Sequence, residues 1–297
     1  MGRFIMRESE VLQIIRAAVA KAGDDAAILP FGETNLLLTT DMLHRTTDFP
    51  DGASPYTIGW RSVAVSLSDL AAMGARPLAV LLALGDPDLA ERFIRGVLAG
   101  ARACCAAAGT DLVGGDIDQH SELTVVGSAL GEAANPVRRS GAGAGDLVCV
   151  TGELGSTQTA LRLFATGAHE RANALFCFSP RVEWGESLAP FATSMVDISD
   201  GLAHSLHLLA RESRVGCSIE EALLPVIPDL VQTIPQEARS DAILFGGEDY
   251  ELLFTLPEAD LKMVSPIVSF RVIGRVVCSG VRLDGQDLPD QGWEHGG

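Results

Sequence analysis

At 297 residues with 47% hydrophobic content, the chain is long enough for two ordinary domains or one large one and can bury a sizeable core. Its formal net charge of −17 argues against nucleic acid or an anionic membrane as partner, so an anionic ligand would need metal screening. The longest apolar stretch, 78–84, falls far short of the roughly 20 residues of a membrane span, and the N-terminus has no charged-then-apolar signal pattern, so a soluble cytoplasmic protein is expected.

Residues 36–40 read as a short buried strand running into Thr39-Thr40-Asp41, which puts the carboxylate at a strand end. Ile58, Val63, Leu67, Leu70 and Ala71 keep helical spacing, with Ser62, Ser66 and Asp69 on an adjoining stripe, and Gly74 and Pro77 stop the helix. Residues 78–84 form a strand, and Asp86-Pro87 offers an N-cap and first-turn proline for a helix ending before Gly109. Strands follow near 111–113 and 123–130.

The segment 131–145 is small, polar and glycine-rich, which sets a domain boundary between 1–134 and 135–297. Beyond it come a strand at 147–151, helices near 156–166 and 180–188, a strand ending at Asp197 and a helix opening after Asp200-Gly201. Strands at 250–256 and 270–277 close the pattern, which is α/β or α+β in two halves.

Six cysteines show no Cys-x-x-Cys spacing and read as reduced, buried thiols. His204 and His207, three apart, lack a third ligand nearby in sequence and read as surface or packing residues rather than a zinc site. With only Lys21 and Lys262 as lysines, the chain has no Gly-x-x-x-x-Gly-Lys-Ser/Thr loop for nucleotide phosphates. The Gly141 to Gly145 run precedes a strand instead of following one, so a dinucleotide fingerprint is out of context.

Acidic clusters fill that gap: Gly23-Asp24-Asp25-Ala26, Thr39-Thr40-Asp41, Leu67-Ser68-Asp69-Leu70, Gly114-Gly115-Asp116, Val196-Asp197-Ile198-Ser199-Asp200-Gly201 and Gly246-Gly247-Glu248-Asp249. Any single Asp can serve a cap or a turn. Asp69, however, interrupts an apolar helix, and several carboxylates buried together repel one another unless cations neutralise them. Carboxylate and hydroxyl oxygens suit Mg²⁺, which reaches substrates through phosphate oxygens. Metal-assisted phosphate chemistry is therefore expected.

With Arg139-Ser140-Gly141, Gly246-Gly-Glu-Asp-Tyr-Glu-Leu252 and Gly292-Trp-Glu-His295 added, these motifs resemble the thiamine-monophosphate kinase family over nearly the whole chain. That family is related to aminoimidazole ribonucleotide synthetase and selenophosphate synthetase. The resemblance implies a two-domain synthetase-like fold, with the N-terminal mixed sheet forming a barrel in a homodimer. It implies transfer of the γ-phosphoryl of ATP onto thiamine monophosphate, giving thiamine diphosphate, with several Mg²⁺ ions. Matching positions assign Asp25, Thr39, Thr40, Asp41, Asp69, Asp116, Asp197 and Asp200 to the metal, and Gly115, Asp116, Arg139 and Ser199 to ATP. Arginine suits phosphate because its planar fork spans two oxygens, with a surface loop cation beside Arg138 as the lesser alternative for Arg139.

Glu248 and Trp293 match positions that contact thiamine, whose thiazolium cation favours a carboxylate and an aromatic face. Asp48 stands seven residues after Asp41, where many relatives place a substrate-contacting histidine. It accepts hydrogen bonds only and repels a phosphate, so it either touches the cationic or aminopyrimidine part of thiamine or takes no direct part. No general base is assigned, because the attacking phosphate oxygen is already anionic. The alternatives are another ATP-dependent synthetase of the superfamily, a two-metal phosphohydrolase or an acidic metal-binding module.

Overall fold

The computed structural model describes residues 23–293 continuously, with residues 11, 14, 15 and 17–19 ahead of them. β1 (Ala27–Phe31) turns at Gly32-Glu33 into β2 (Thr34–His44), and the two pair antiparallel with Ile28 opposite Leu37. Thus β2 is longer than the sequence pattern suggests, and Asp41 lies inside the strand rather than at its end.

Helix α1 (Pro55–Ala72) opens on Ser54, whose hydroxyl accepts the Thr57 N–H at 3.1 Å, and Pro55 occupies a first-turn position that needs no donor. Small residues let both sheets approach α1, so it is buried nearly all round instead of along one stripe. β3 (Arg76–Asp86) and α2 (Glu91–Ala107) follow. The expected helix start at Asp86 is replaced by a turn. Asp86 ends β3, and its Oδ2 accepts the N–H groups of Asp88 and Leu89 at 3.1 and 2.8 Å.

α1 and α2 touch backbone to backbone. A Cβ on Gly59 would lie 1.8 Å from the Val97 carbonyl oxygen, and one on Gly100 would lie 1.9 Å from that of Tyr56. β4 (Leu112–Gln119) then runs parallel to β3, and β5 (Thr124–Ala133) pairs antiparallel with β2 and β3. The first sheet has the order β1-β2-β5-β3-β4.

The second sheet, ordered β12-β11-β8-β10-β6-β9-β7, is also mixed, since β11 and β8 are parallel. Its strands are β6 (Leu147–Thr151), β7 (Ser194–Asp197), β8 (Gly216–Ile219), β9 (Leu252–Leu256), β10 (Phe270–Val277), β11 (Val281–Leu283) and β12 (Gln286–Asp287). Between them lie α3 (Ser156–Ala165), α4 (His169–Phe176), α5 (Val182–Leu188) and α6 (Leu202–Ser213), then the short α7 (Pro228–Thr233), α8 (Arg239–Leu244) and α9 (Leu261–Val264). Tyr250 and Glu251 precede β9 instead of opening it.

One apolar core joins Leu67 and Leu70 of α1 and Leu82 of β3 to Cys149, Met195, Leu252 and Phe254 of the second sheet. A second core packs α6 onto the other face of that sheet through Leu202, Leu206, Leu209 and Ile273. The six cysteines are free. Among the described residues no helix is long and apolar enough to cross a membrane.

Candidate active site

Four of the six acidic motifs meet where α1 passes between the two sheets. Side chains alternate along β2, so Leu37, Thr39 and Leu43 face inward while Leu38, Thr40 and Met42 face out. Asp41 shares the inward parity. Its carboxylate accepts the Ser66 hydroxyl of α1 at 2.6 Å. One turn on, Asp69 accepts the Thr39 hydroxyl. From the second sheet, Asp197 at the end of β7 accepts the Ser68 hydroxyl at 2.6 Å. Asp25, just before β1, completes the group. Carboxylate oxygens of Asp25, Asp69 and Asp197 all lie within 4.8 Å of one another.

Burial raises the pKa of Asp41, with the Ser66 hydrogen bond opposing. Burial holds Asp69 well above the usual carboxylate range, and repulsion from Asp41, Asp197 and Asp25 adds to it. Asp197 is pushed up to about 8 by burial and by Asp25, against the Ser68 hydrogen bond and the Arg139 charge. Arg139 grips Asp25 with its planar fork, Nη2 to Oδ1 at 2.9 Å and Nε to Oδ2 at 3.2 Å. Its side chain is 19% exposed, so it is not a surface loop cation. Burial disfavours the Arg139 charge, but Asp25, with Asp197 and Asp69, outweighs this and holds the guanidinium above its ordinary pKa.

Other assigned residues lie apart from this group. The Thr40 hydroxyl turns to the opposite face, bonding the Gly127 carbonyl at 3.0 Å and the Ser128 hydroxyl at 2.9 Å. Asp116 lies within β4, in the register row Met42, Val126, Ala83, Asp116, which follows the outward face of the sheet. It lines an outer hollow of about 300 Å³ with Met42, His44, Asp118 and His120. Gly115 is in the inward row beside Leu82, where a Cβ would meet the Leu82 carbonyl oxygen at 1.8 Å. Asp48 closes the turn after β2, its carboxylate accepting the His44 N–H at 2.7 Å and the Thr47 hydroxyl at 2.6 Å.

Ser199 and Asp200 form the loop between β7 and α6, with the Ser199 hydroxyl 3.2 Å from Asp200 Oδ2. The half-exposed Trp293 is tied to this loop by its backbone N–H, which donates to the Asp200 carbonyl at 3.0 Å. Glu294 and His295 lie outside the described residues.

The segment carrying Glu248 is tightly held. Glu248 and Tyr250 have φ of 62° and 52°, a left-handed conformation that costs a non-glycine residue about 1–2 kcal/mol. The Thr157 hydroxyl donates to the Glu248 carbonyl at 2.7 Å, and the Tyr250 N–H donates to the Ile198 carbonyl at 2.9 Å. Both oxygens of Asp249 accept the Gly155 N–H at 2.9 Å at the start of α3, fixing the conformation between them.

Three features of the site emerge only from the fold. Ser68 anchors Asp197, and its only signal is a hydroxyl next to Asp69 in an otherwise apolar run. The Arg139 to Asp25 pair spans 114 residues and has no local signature. Arg61 is fully buried within the apolar spacing of α1 and forms an ion pair with Glu248 at 3.0 Å.

The group therefore places four carboxylates, Asp25, Asp41, Asp69 and Asp197, against one guanidinium. Its donors are hard oxygens, and a divalent cation would relieve the burial and mutual repulsion that raise the Asp69 and Asp197 carboxyls, so the residues present fit Mg²⁺.

A two-sheet α/β fold with converging carboxylates defines the class: residues 23–133 match the family described as AIR synthase related protein, N-terminal domain. The *Escherichia coli* hydrogenase maturation protein HypE shares this fold at 21% identity and a TM-score of 0.72, covering 96% of this chain and 98% of its own. The chain belongs to the thiamine-monophosphate kinase family. It is 46% identical to the thiamine-monophosphate kinase of *Halobacterium salinarum* over 294 residues, covering 98% of this chain and 100% of that protein. The *Methanospirillum hungatei* enzyme is 42% identical over 297 residues, covering 98% and 99%. A solved structure described as AaThiL complexed with AMPPCP and TMP matches with a TM-score of 0.91 at 29% identity, covering 98% of this chain and 99% of its own.

Proposed function

We propose that this protein transfers the γ-phosphoryl group of ATP directly onto the phosphate of thiamine monophosphate, forming thiamine diphosphate and ADP. The observation that carries this reading is the carboxylate group in which Asp25, Asp69 and Asp197 converge within 4.8 Å beside Asp41. Likeness to a structure described with AMPPCP and TMP supports the choice of substrates.

Asp25, Thr39, Asp41, Asp69 and Asp197, with Asp200 from the loop after β7, are the residues that would hold Mg²⁺, whereas Thr40 and Asp116, assigned with them by the resemblance, project to the outer face of the first sheet and away from this group. A metal held in the group would supply positive charge to balance the phosphate oxygens during transfer. The hydroxyls of Thr39, Ser66 and Ser68 aim their carboxylates inward. Gly115, Asp116, Arg139 and Ser199 are assigned to ATP. Arg139, now paired with Asp25, presents a fork that suits two phosphate oxygens equally well. The acceptor phosphate is anionic at neutral pH, so the chain needs to orient it and need not deprotonate it.

Glu248 and Trp293 are assigned to the thiamine end. Asp48 is assigned there through the resemblance alone, since its carboxylate already closes a local turn. We read residues 1–134 as the half for metal, ATP and dimerisation, and 135–297 as the half that completes the site, in a cytoplasmic enzyme. A homodimer through the outer face of the first sheet is supported by the exposed Leu29, Phe31, Leu38, Met42 and Leu81. Asp116 lies on that face.

The test is a Mg²⁺-dependent incubation with ATP and thiamine monophosphate, with products identified by mass. Equal amounts of ADP and thiamine diphosphate are expected, and inorganic phosphate without thiamine diphosphate would sink the reading. In the same assay, an unchanged KM for thiamine monophosphate in Asp48→Ala would remove Asp48 from the substrate site.

A further inference from the structure

Arg61 is the largest fully buried side chain among the described residues, and the phosphate chemistry makes no use of it. It projects from α1, eight residues before Asp69, into an aromatic cage. Its guanidinium carbon lies 3.8 Å from the ring centre of Phe176, 5.4 Å from that of Phe178 and 5.5 Å from that of Tyr250. Phe178 and Tyr250 stack on each other, with centroids 4.3 Å apart and planes inclined by 10°. Nη1 donates to the Phe176 carbonyl at 3.1 Å. Nη2 lies 3.0 Å from Oε1 of Glu248, yet neither Nη2 nor Nε has an aligned hydrogen-bond acceptor among the described residues.

A cation wholly out of water is costly, and unaligned buried donors add to that cost. Ring faces offset part of it and fix the plane of the fork. Charge balance comes from Glu248, whose side chain is 24% exposed and so stands between the buried cation and solvent. Two left-handed residues, Glu248 and Tyr250, hold this geometry from the backbone side. Arg61 thus faces one oxygen of a carboxylate at the mouth of the cage, as an ion pair and not an aligned hydrogen bond.

Resting on the assignment of Glu248 to the thiamine end, we infer that Arg61 is a positioning residue that fixes the direction of the Glu248 carboxylate toward the cationic substrate. Among the described residues Arg61 pairs with Glu248 and with none of the four clustered Asp carboxylates, so its effect should fall on the thiamine end. Arg61→Met keeps the length of the side chain and replaces a buried ion with apolar volume, while Glu248 can reach water. Arg61→Lys keeps the charge but loses the fork.

The experiment measures KM for thiamine monophosphate, KM for ATP and kcat in the Mg²⁺-loaded enzyme and in Arg61→Met, Arg61→Lys, Glu248→Gln and the double variant Arg61→Met/Glu248→Gln. In Arg61→Met, KM for thiamine monophosphate should rise about tenfold, the scale of a lost oriented contact to a charge, while KM for ATP and kcat hold within about threefold. The double variant should be no worse than Glu248→Gln alone, because both changes remove one contact. Additive losses, a parallel rise in both KM values or an unchanged KM for thiamine monophosphate would each overturn the role. Should Arg61→Met not fold, Arg61→Lys carries the same test with the same split between the two KM values. Wild-type enzyme that makes no thiamine diphosphate sinks the kinase reading and the Arg61 role together, whereas active wild type with indifferent Arg61 variants sinks the Arg61 role alone.

Discussion

Asp25, Asp41, Asp69 and Asp197 share one guanidinium, and that imbalance has a measurable signature. Asp197, raised from 3.8 to about 8, binds its proton more tightly in the folded chain than in the unfolded one, and Asp41 and Asp69 shift in the same direction. Folding therefore takes up protons between about pH 4 and 8, and the stability from these groups is lost as pH rises through that window. The Tm of metal-free protein should fall from pH 5 to pH 8, and saturating Mg²⁺ should restore more of it at pH 8 than at pH 5. A Mg²⁺ increment that is equal at both pH values would contradict the carboxylates as ligands. Asp41→Asn removes a charge at nearly constant volume, so turnover should fall at least about 100-fold with the metal-free Tm unchanged or higher. Retained full activity would remove Asp41 from the metal group. The acidic residues were legible because Asp in an apolar, small-residue setting is costly without a partner. The long-range pairing of Arg139 with Asp25 was not, because 114 residues separate them.

Among the elements, α1 contributes more side chains to the site than any other, since Arg61, Ser66, Ser68 and Asp69 all project from it. Its spacing was readable from Ile58 to Ala71, whereas the depth of its burial depends on the second sheet closing over it. The sequence pattern stopped the fourth strand near 113. The structure continues β4 to Gln119, and only the register with β3 reveals that Asp116 faces outward while Gly115 faces inward. Likewise, Asp86 caps a turn after β3 because its carboxylate meets the N–H groups of Asp88 and Leu89 before a helix can start. The height of α1 over the site depends on its contact with α2 at Gly59 and Gly100. Gly59→Ala should therefore lower stability in urea by about 1–3 kcal/mol through overpacking, despite the better helix propensity of alanine. A neutral or stabilising change would show that the helices separate freely.

The whole molecule is two mixed sheets sharing one apolar core, with the carboxylate group where the sheets meet at α1. Alternating strands and helices made this class legible, but the five-stranded first sheet has an outer apolar face that strand alternation alone does not explain. Pairing through that face predicts twice the chain mass in sedimentation, and Met42→Asp should shift the species toward monomer. A wild-type monomer at micromolar concentration would leave the outer face without its assigned partner. The central claim is direct phosphoryl transfer at the carboxylate group, and the most direct measurement follows ATP labelled with ¹⁸O in its γ-phosphoryl group. With Mg²⁺ and thiamine monophosphate, mass spectrometry should find the label in the terminal phosphate of thiamine diphosphate in wild-type enzyme and none above background in Asp41→Asn. Label released only as inorganic phosphate, or transferred equally by both proteins, would contradict the account.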